Sequence, residues 1–443
     1  MDALFVFLIF GCFMLLLFSG FPVAFVLGGV GVLFAALGSL LAPFEIAEVA
    51  ELRMIGFVSN RIFDTLSSYS LIPMSMFIFM GFMLDRSGIA ERLILAMRRV
   101  LGPAPGGLAI AVVLIGVVLA ASTGIIGASV VLLATIALPT MMQSGYARWL
   151  SAGTVGATGC LGILVPPSIM LVVMGDQLRI PVGDLFMGAI LPGLLLAACF
   201  VTFLLGYAWL RPNDMPAMPR SEVGDTRGLI REMVGALLAP LLLVMAVLGS
   251  ILAGIASPTE ASGIGAAGAT VLAWAARRLS WNDLRQVCYQ TGRTVAFLYA
   301  LIFGASCFSV VLRGYGGDEV IEGALYALPF SPEGVLALVI LVVFLLGFFL
   351  DWMEIVLIVA PLVMPVLTGF GFEPVWVAIL MALCLQTSFL TPPVGMALFY
   401  LRSATQEISM LEIYKGAMPF VVLQILTLLL VALFPSLALW MLD

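Results

Sequence analysis

The sequence predicts an all-α polytopic membrane protein built as an inverted repeat, with five spans and one re-entrant hairpin in each copy and two helices broken at Pro-Pro. Three observations predict it. Hydrophobic residues make up 63% of the 443 positions and charged residues 10%, against roughly 25% charged in soluble domains, so the bilayer is the solvent. Two halves match in order: Pro139, Gly145 and Pro166-Pro167 lie 226 positions before Pro365, Gly371 and Pro392-Pro393. Upstream, Leu101, Pro105 and Gly107 precede Leu328, Pro332 and Gly334 by 227, and Gly20-Phe21-Pro22 resembles Ala256-Ser257-Pro258 at a spacing of 236. The third observation is a segregation of basic residues that tests the span count.

A spanning helix needs about 20 apolar residues. Spans are expected near 3–19, 22–42, 69–84, 146–176 and 185–210 in the first copy (1–210), and near 234–254, 258–276, 294–312, 374–401 and 416–440 in the second (234–443). The first run follows Met-Asp with no basic n-region or small-residue cleavage site, so it is expected to be retained as a helix. Two apolar stretches, 107–140 and 334–367, are too long for one straight helix and carry small or polar residues at their middles. Turning back at Ser122-Thr123-Gly124 and at Gly347 to Asp351 makes them hairpins that enter and leave on one side. Five crossings per copy then place the second copy upside down relative to the first.

Basic residues collect in cytoplasmic loops. On this parse 15 of the 19 fall on one side, and only Arg53, Arg61, Arg179 and Arg313 on the other. Both termini are therefore predicted outside, the first hairpin enters from the cytoplasm, and the second enters from the exterior. Residues 211–233 read as a cytoplasmic linker between the copies. Residues 43–68, with Glu45, Glu48 and Glu51 among apolar neighbours, read as a helix along the outer interface, and 89–100 and 281–292 as similar arms inside.

Composition also narrows function. Histidine is absent, which removes imidazole metal sites, Ser-His triads and histidine proton relays. The six cysteines sit in apolar runs without CxxC spacing and read as buried hydrophobes. Scattered basic residues and a net charge of -6 give no nucleic-acid footprint. An intramembrane aspartyl enzyme needs a carboxylate pair, and Asp351 reads as the one evident intramembrane acid. A scaffold would carry paired helix breaks as cost without use.

Open backbone at membrane depth is expensive unless it is packed in protein or lines a cavity. The four candidate places are the two hairpin tips and the breaks at Gly159 to Ser168 and Gln386 to Gly395. Proline withholds an N–H and clashes with the preceding turn, so each Pro-Pro splits its helix in two. The first half ends in free carbonyls that suit Na⁺, and the second begins with N–H groups that suit an anion. Asp351 carries a charge inside an apolar run, at about 2.5–3.5 kcal/mol on insertion scales, which a cation at the tip would offset. Ser122, Thr123 and Ser129 offer neutral oxygens at the first tip; Thr387, Ser388 and Thr391 offer oxygens at the second break, and Thr158 and Ser168 at the first. Glu260 in Ser257-Pro258-Thr259-Glu260-Ala261 reads mainly as a helix start.

Gly145-Tyr146, the run Gly162-Ile163-Leu164-Val165-Pro166-Pro167-Ser168, the Ser257 to Ala261 motif and Thr391-Pro392-Pro393-Val394-Gly395 resemble the large membrane subunit of TRAP (tripartite ATP-independent periplasmic) transporters. Val165 stands where that family usually has Ile, and Ala256-Ser257 where it often has Phe-Thr. The resemblance implies an elevator-type member of the ion-transporter superfamily in the bacterial inner membrane. It would import an organic anion with Na⁺ as the coupling ion, no organic cofactor and no transition metal. Its partners would be a small four-helix membrane subunit and a periplasmic substrate-binding protein, consistent with the lack of a soluble capture domain in this chain. The resemblance places one Na⁺ site at Ser122, Thr123, Gly124 and Gly162, and another at Gly347, Asp351, Thr387 and Thr391. The anion would meet Gly127, Pro166, Pro167, Ser168, Ser388, Pro392, Pro393 and Gly395. The competing expectation is a self-sufficient Na⁺ or H⁺ carboxylate symporter without a binding protein.

Overall fold

A computed structural model of the chain describes residues 2–42, 51–123, 126–217 and 226–442, with side chains described except at 2, 120–123 and 226–236. Every regular element among the described residues is helical. Six helices are long and apolar enough to cross a bilayer: Val23–Leu41, Ile126–Gln143, Val182–Leu210, Trp281–Gly314, Trp352–Gly369 and Met410–Leu433. A seventh candidate is the pair Leu52–Ser67 and Tyr69–Arg86, bent by 57°. Among the described residues, fewer than ten full-length spans are thus observed. Several expected spans are shorter apolar helices there: Ile169–Leu178 and Pro374–Leu390 are cut by the helix breaks, and Ala3–Leu17 is also below bilayer length.

One further expectation is corrected. Residues 281–292 are no separate arm: they continue into the 34-residue helix Trp281–Gly314. Its start is a capping box in which the Ser280 hydroxyl accepts from the Asp283 N–H while the Asp283 carboxylate accepts from the Ser280 N–H, two orphan donors satisfied at once. Helix Thr226–Leu252 begins inside the stretch expected as linker. Glu45 and Glu48 lie outside the described residues; beyond them Ile55–Ser67 leaves Phe57 and Phe63 61% and 70% exposed, as a helix facing lipid does. Ile89–Leu101 buries Ala90, Leu93, Ile94 and Met97 on one face and turns Arg92 toward the Ala276 carbonyl.

The two halves interleave reciprocally. Val23–Leu41 packs on Trp281–Gly314, and Ile72–Arg86 packs on Pro258–Ala275. The first crossing is close because small residues meet: a Cβ at Gly31 would sit 2.8 Å from Cys307 Sγ, and one at Gly304 would run into the Ala24 carbonyl. Without a hydrophobic driving force between helices in lipid, such backbone approach is what dispersion has to work with. Arg148–Cys160 crosses Met410–Leu433 in the same way, with Gly153 against Gly416 backbone to backbone.

Matched sequence positions take matched backbone. Gly145 and Gly371 both have left-handed φ, 82° and 89°, and both Pro166-Pro167 and Pro392-Pro393 bonds are cis. Each glycine closes the stretch between a hairpin's second arm and the following helix. The left-handed conformation clashes for side chains with a Cβ, so glycine recurs at both places for the same steric reason.

Candidate functional site

The first break forms where Arg148–Cys160 tightens into a 3₁₀ turn, Leu161–Ile163, which contains Gly162. Pro166 and Pro167 cannot continue the helix, and Ser168 is extended before Ile169–Leu178 starts. The Ser168 hydroxyl donates to the Ile163 carbonyl at 2.5 Å, so it closes the break and occupies one of the carbonyls that the break frees. Thr154 and Thr158, fully buried on the first half, each keep a hydroxyl oxygen without a hydrogen-bond partner. The first hairpin, Gly107–Thr123 and Ile126–Gln143, lies directly on this half: a Cβ at Gly159 would be 2.9 Å from Val130 Cα. Gly124 and the side chains of Ser122 and Thr123 lie outside the described residues.

At the second tip, helix Pro332–Leu346 ends at Gly347 and the chain re-enters helix at Asp351. Asp351 caps that helix, its Oδ1 accepting from the Trp352 N–H at 2.8 Å. One turn on, Glu354 is 3% exposed and its Oε2 has no hydrogen-bond partner. It is followed by a five-residue π-helical segment, Ile355–Val359, a distortion found mostly at functional sites. Glu354 lies within electrostatic range of Asp351, and both act on the Tyr400 phenol. Among the described residues neither carboxylate has a basic partner. Asp351 is therefore not a lone intramembrane acid, and the i, i+3 spacing of Asp351 and Glu354 in an otherwise apolar run is the signal that the sequence reading passed over.

The second break receives this tip. Gly347 packs on Ser388 so closely that a Cβ would overlap Ser388 Oγ and sit 3.0 Å from its Cβ. Ser388 Oγ and both amide atoms of Gln386 are buried without partners. Thr387 and Thr391 donate to the carbonyls of Leu383 and Thr387, each at 2.7 Å, so their hydroxyl protons are committed to their own helix while their lone pairs are not. Beyond Pro392-Pro393, Gly395 admits close backbone carbonyls: a Cβ there would lie 2.6 Å from Phe389 O and 2.9 Å from Thr391 O. No hydrogen bond among the described residues joins Asp351 to Thr387, Ser388 or Thr391.

Tyr400, on the half-helix after this break, joins the two hairpins. Its ring lies against Gly127, where a Cβ would be 3.2–3.3 Å from three ring carbons, and its ring also borders a 300 Å³ cavity with Phe348 and Phe349 of the second tip. Nothing in an apolar run marks a tyrosine for such a place. The arrangement is thus a set of carbonyl, hydroxyl and carboxylate oxygens around two helix breaks, buried and poor in donors, which suits small hard cations better than any transition metal.

The family model described as the DctM component of the tripartite ATP-independent periplasmic transporter matches residues 10–437. The C4-dicarboxylate TRAP transporter large permease protein of Pseudomonas aeruginosa is 31% identical over 380 residues, covering 86% of this chain and 87% of that protein. The isethionate TRAP transporter permease of Oleidesulfovibrio alaskensis is 28% identical over 97% of this chain, which spans 65% of that longer protein. The crystal structure of the Alcanivorax borkumensis YdaH transporter shares the fold with a TM-score of 0.68, over 94% of this chain and 98% of that one, at 12% identity. With a multi-pass architecture that is helical among the described residues and a family match over nearly its whole length, the chain belongs to the DctM component family of tripartite ATP-independent periplasmic transporters, secondary transporter permeases for organic acids.

Proposed function

We propose that this chain is the Na⁺-driven transport subunit that imports an organic anion delivered by a periplasmic binding protein, working with a small membrane subunit. The observation that carries the reading is the seat of the second hairpin tip on the second break. There Asp351 and Glu354, without a basic partner, stand in the same region as partnerless Ser388 and Gln386 and the converging carbonyls of Phe389 and Thr391. Buried negative charge with free oxygens calls for a cation. Gly347, Asp351, Thr387 and Thr391 form that Na⁺ site, with Glu354 and Ser388 joining it. Ser122, Thr123, Gly124 and Gly162 form its counterpart at the first break.

The substrate carboxylate would meet the half-helix N-termini beyond Pro166-Pro167-Ser168 and Pro392-Pro393-Gly395, with Gly127 and Ser388 alongside. The relatives named for a C4-dicarboxylate and for isethionate support an anion of that size without fixing which. Movement would be an elevator: hairpins and broken helices shift against a frame formed by the reciprocal pairs Val23–Leu41 with Trp281–Gly314 and Ile72–Arg86 with Pro258–Ala275. Reciprocal packing supports an inverted repeat. Orientation, with both termini periplasmic, draws support from a structural clustering: Arg61, Arg179 and Arg313, assigned outside, line one cavity, while Arg86, Arg92 and Arg278, assigned inside, gather around Gly88, Ala276, Asp283 and Gln286.

Energetics set a minimum stoichiometry. At about 100 mV an entering Na⁺ gains about 2.3 kcal/mol and an entering dianion costs about 4.6; a tenfold Na⁺ gradient adds about 1.4. One Na⁺ cannot accumulate a dianion, and two can, so at least two Na⁺ enter with each. The test is uptake in proteoliposomes under an imposed Na⁺ gradient, with and without the two partners. Uptake only with Na⁺ and both partners supports the reading. Uptake of free substrate by this chain alone would move it to a self-sufficient symporter, and entry of net negative charge with a dianion, as one Na⁺ per dianion would give, would remove the two-Na⁺ minimum.

A further inference from the structure

We infer that a 740 Å³ cleft between the frame and the moving part, on the face carrying Arg61, Arg179 and Arg313, is an anion-capture site for the organic carboxylate before it reaches the helix breaks. The cleft is walled on one side by Ile55–Ser67 and Trp281–Gly314 and on the other by the ends of Ile169–Leu178 and of the second hairpin. Its volume lies within the usual range of small-molecule sites. Three of the four basic residues assigned to the outer face converge on it.

The cleft lining carries three guanidiniums, Arg61, Arg179 and Arg313, against two carboxylates, Asp64 and Asp176. Asp176, on the moving wall, keeps its charge but accepts from Ser68 Oγ at 3.0 Å and from Gln177 Nε2 at 3.1 Å, so both of its oxygens are engaged. Arg313 is paired with Asp318, outside the lining, at 3.0 Å. Arg61 and Arg179 carry neither an ion pair nor a side-chain hydrogen bond among the described residues, and Asp64, one turn from Arg61, forms no ion pair with it. Burial weighs most on Arg61, which also feels the charges of Arg313, Asp318 and Arg179, so the two unpaired guanidiniums share one field that Asp318 offsets in part. A carboxylate placed between them would be held by charge-assisted hydrogen bonds of the bidentate kind that Arg offers, and Ser306 and Ser309 on the frame supply neutral donors. Arg61 belongs to the frame and Arg179 to the moving part, so an anion bound to both spans the sliding interface.

The inference rests on the orientation and the organic-anion substrate proposed above, and the experiment separates the two. Ser306→Cys in the assembled complex, in neutral phosphatidylcholine vesicles, is modified by an anionic and by a cationic membrane-impermeant thiosulfonate, and labelling at residue 306 is read by mass spectrometry. The anionic reagent reacts faster, succinate slows the reaction while uncharged succinamide does not, and Arg61→Gln with Arg179→Gln lowers the anionic-to-cationic rate ratio by roughly tenfold. An unchanged ratio in that double variant overturns the capture site while leaving Na⁺-driven uptake standing. Reaction from the cytoplasmic face alone overturns the orientation and the capture role together. Protection by phosphatidylglycerol in place of succinate assigns the arginines to lipid headgroups and also overturns the proposal. Arg61→Lys and Arg179→Lys, which keep charge without the fork, retain the rate ratio but lose succinate protection.

Discussion

Gly347→Ala is the sharpest probe of how the second hairpin tip is seated. The new methyl would overlap Ser388 Oγ, lie 3.0 Å from Ser388 Cβ and 3.4 Å from the Val343 carbonyl. Ser388 has no room to retreat, since every residue from Val375 to Leu390 is buried. Overpacking of this kind costs about 1–3 kcal/mol. If the tip lifts off the break to relieve it, that cost falls on the Na⁺ site and weakens Na⁺ affinity by roughly 5- to 150-fold. The assay is the Na⁺ concentration for half-maximal uptake in proteoliposomes, alongside thermal unfolding in Na⁺. A graded series isolates the contact. Ser388→Ala removes Oγ but leaves the Cβ at 3.0 Å, so it rescues thermal stability in part, while Na⁺ affinity in the double variant is read against Ser388→Ala alone because Ser388 is itself placed at the Na⁺ site. Ser388→Gly removes both atoms and rescues further, less up to about 1 kcal/mol of helix propensity. The double variants must be non-additive by at least about 1 kcal/mol, as residues in contact are. Additive effects, or wild-type Na⁺ affinity and stability in Gly347→Ala alone, would refute the packing of tip on break.

Three other substitutions separate site from scaffold. Asp351→Asn is expected to weaken the Na⁺ dependence of uptake far more than Glu260→Gln, because Glu260 accepts from the Ser257 N–H and hydroxyl at 2.8 Å in an exposed capping box; equal effects in the two variants would reverse that ranking. Glu354→Gln removes a buried charge that has no basic partner among the described residues, so unfolding in Na⁺-free buffer should shift upward while the stabilisation by added Na⁺ shrinks, and a downward shift without Na⁺ would show that the charge is compensated within the fold. Gly416→Ala would drive a methyl into the Trp149 carbonyl and the Gly153 backbone, and the helix crossing it disrupts should cost about 1–3 kcal/mol in thermal unfolding without selectively changing Na⁺ affinity at permissive temperature.

What could be read from the chain and what could not divide along a physical line. Pro166-Pro167, Pro392-Pro393 and the glycines at 145 and 371 are statements about backbone, made by covalent geometry within a few residues, and the helix breaks and left-handed turns stand where those residues stand. Asp351 was legible because a charge in an apolar run is costly wherever the run ends up. Glu354 is equally visible as a charge three residues on, just before an apolar run; only its burial separates it from a surface acid. Tyr400 has no sequence signal at all, and Ser388, legible as one of several hydroxyls at the second break, has none that sets it apart from them. Their importance comes from meeting Gly127 and Gly347 across the fold, and a glycine that accepts a close neighbour looks the same in sequence as one that only bends a helix. The 34-residue helix Trp281–Gly314 joins an expected arm and an expected span, because hydropathy reports where lipid ends and not where a helix ends; the capping box at Ser280 and Asp283 marks the true start. The same distinction argues for looking for transport function in contacts between breaks and not in the breaks themselves: a proline says that a helix must open, and the glycine packed against the opening decides what can be held there.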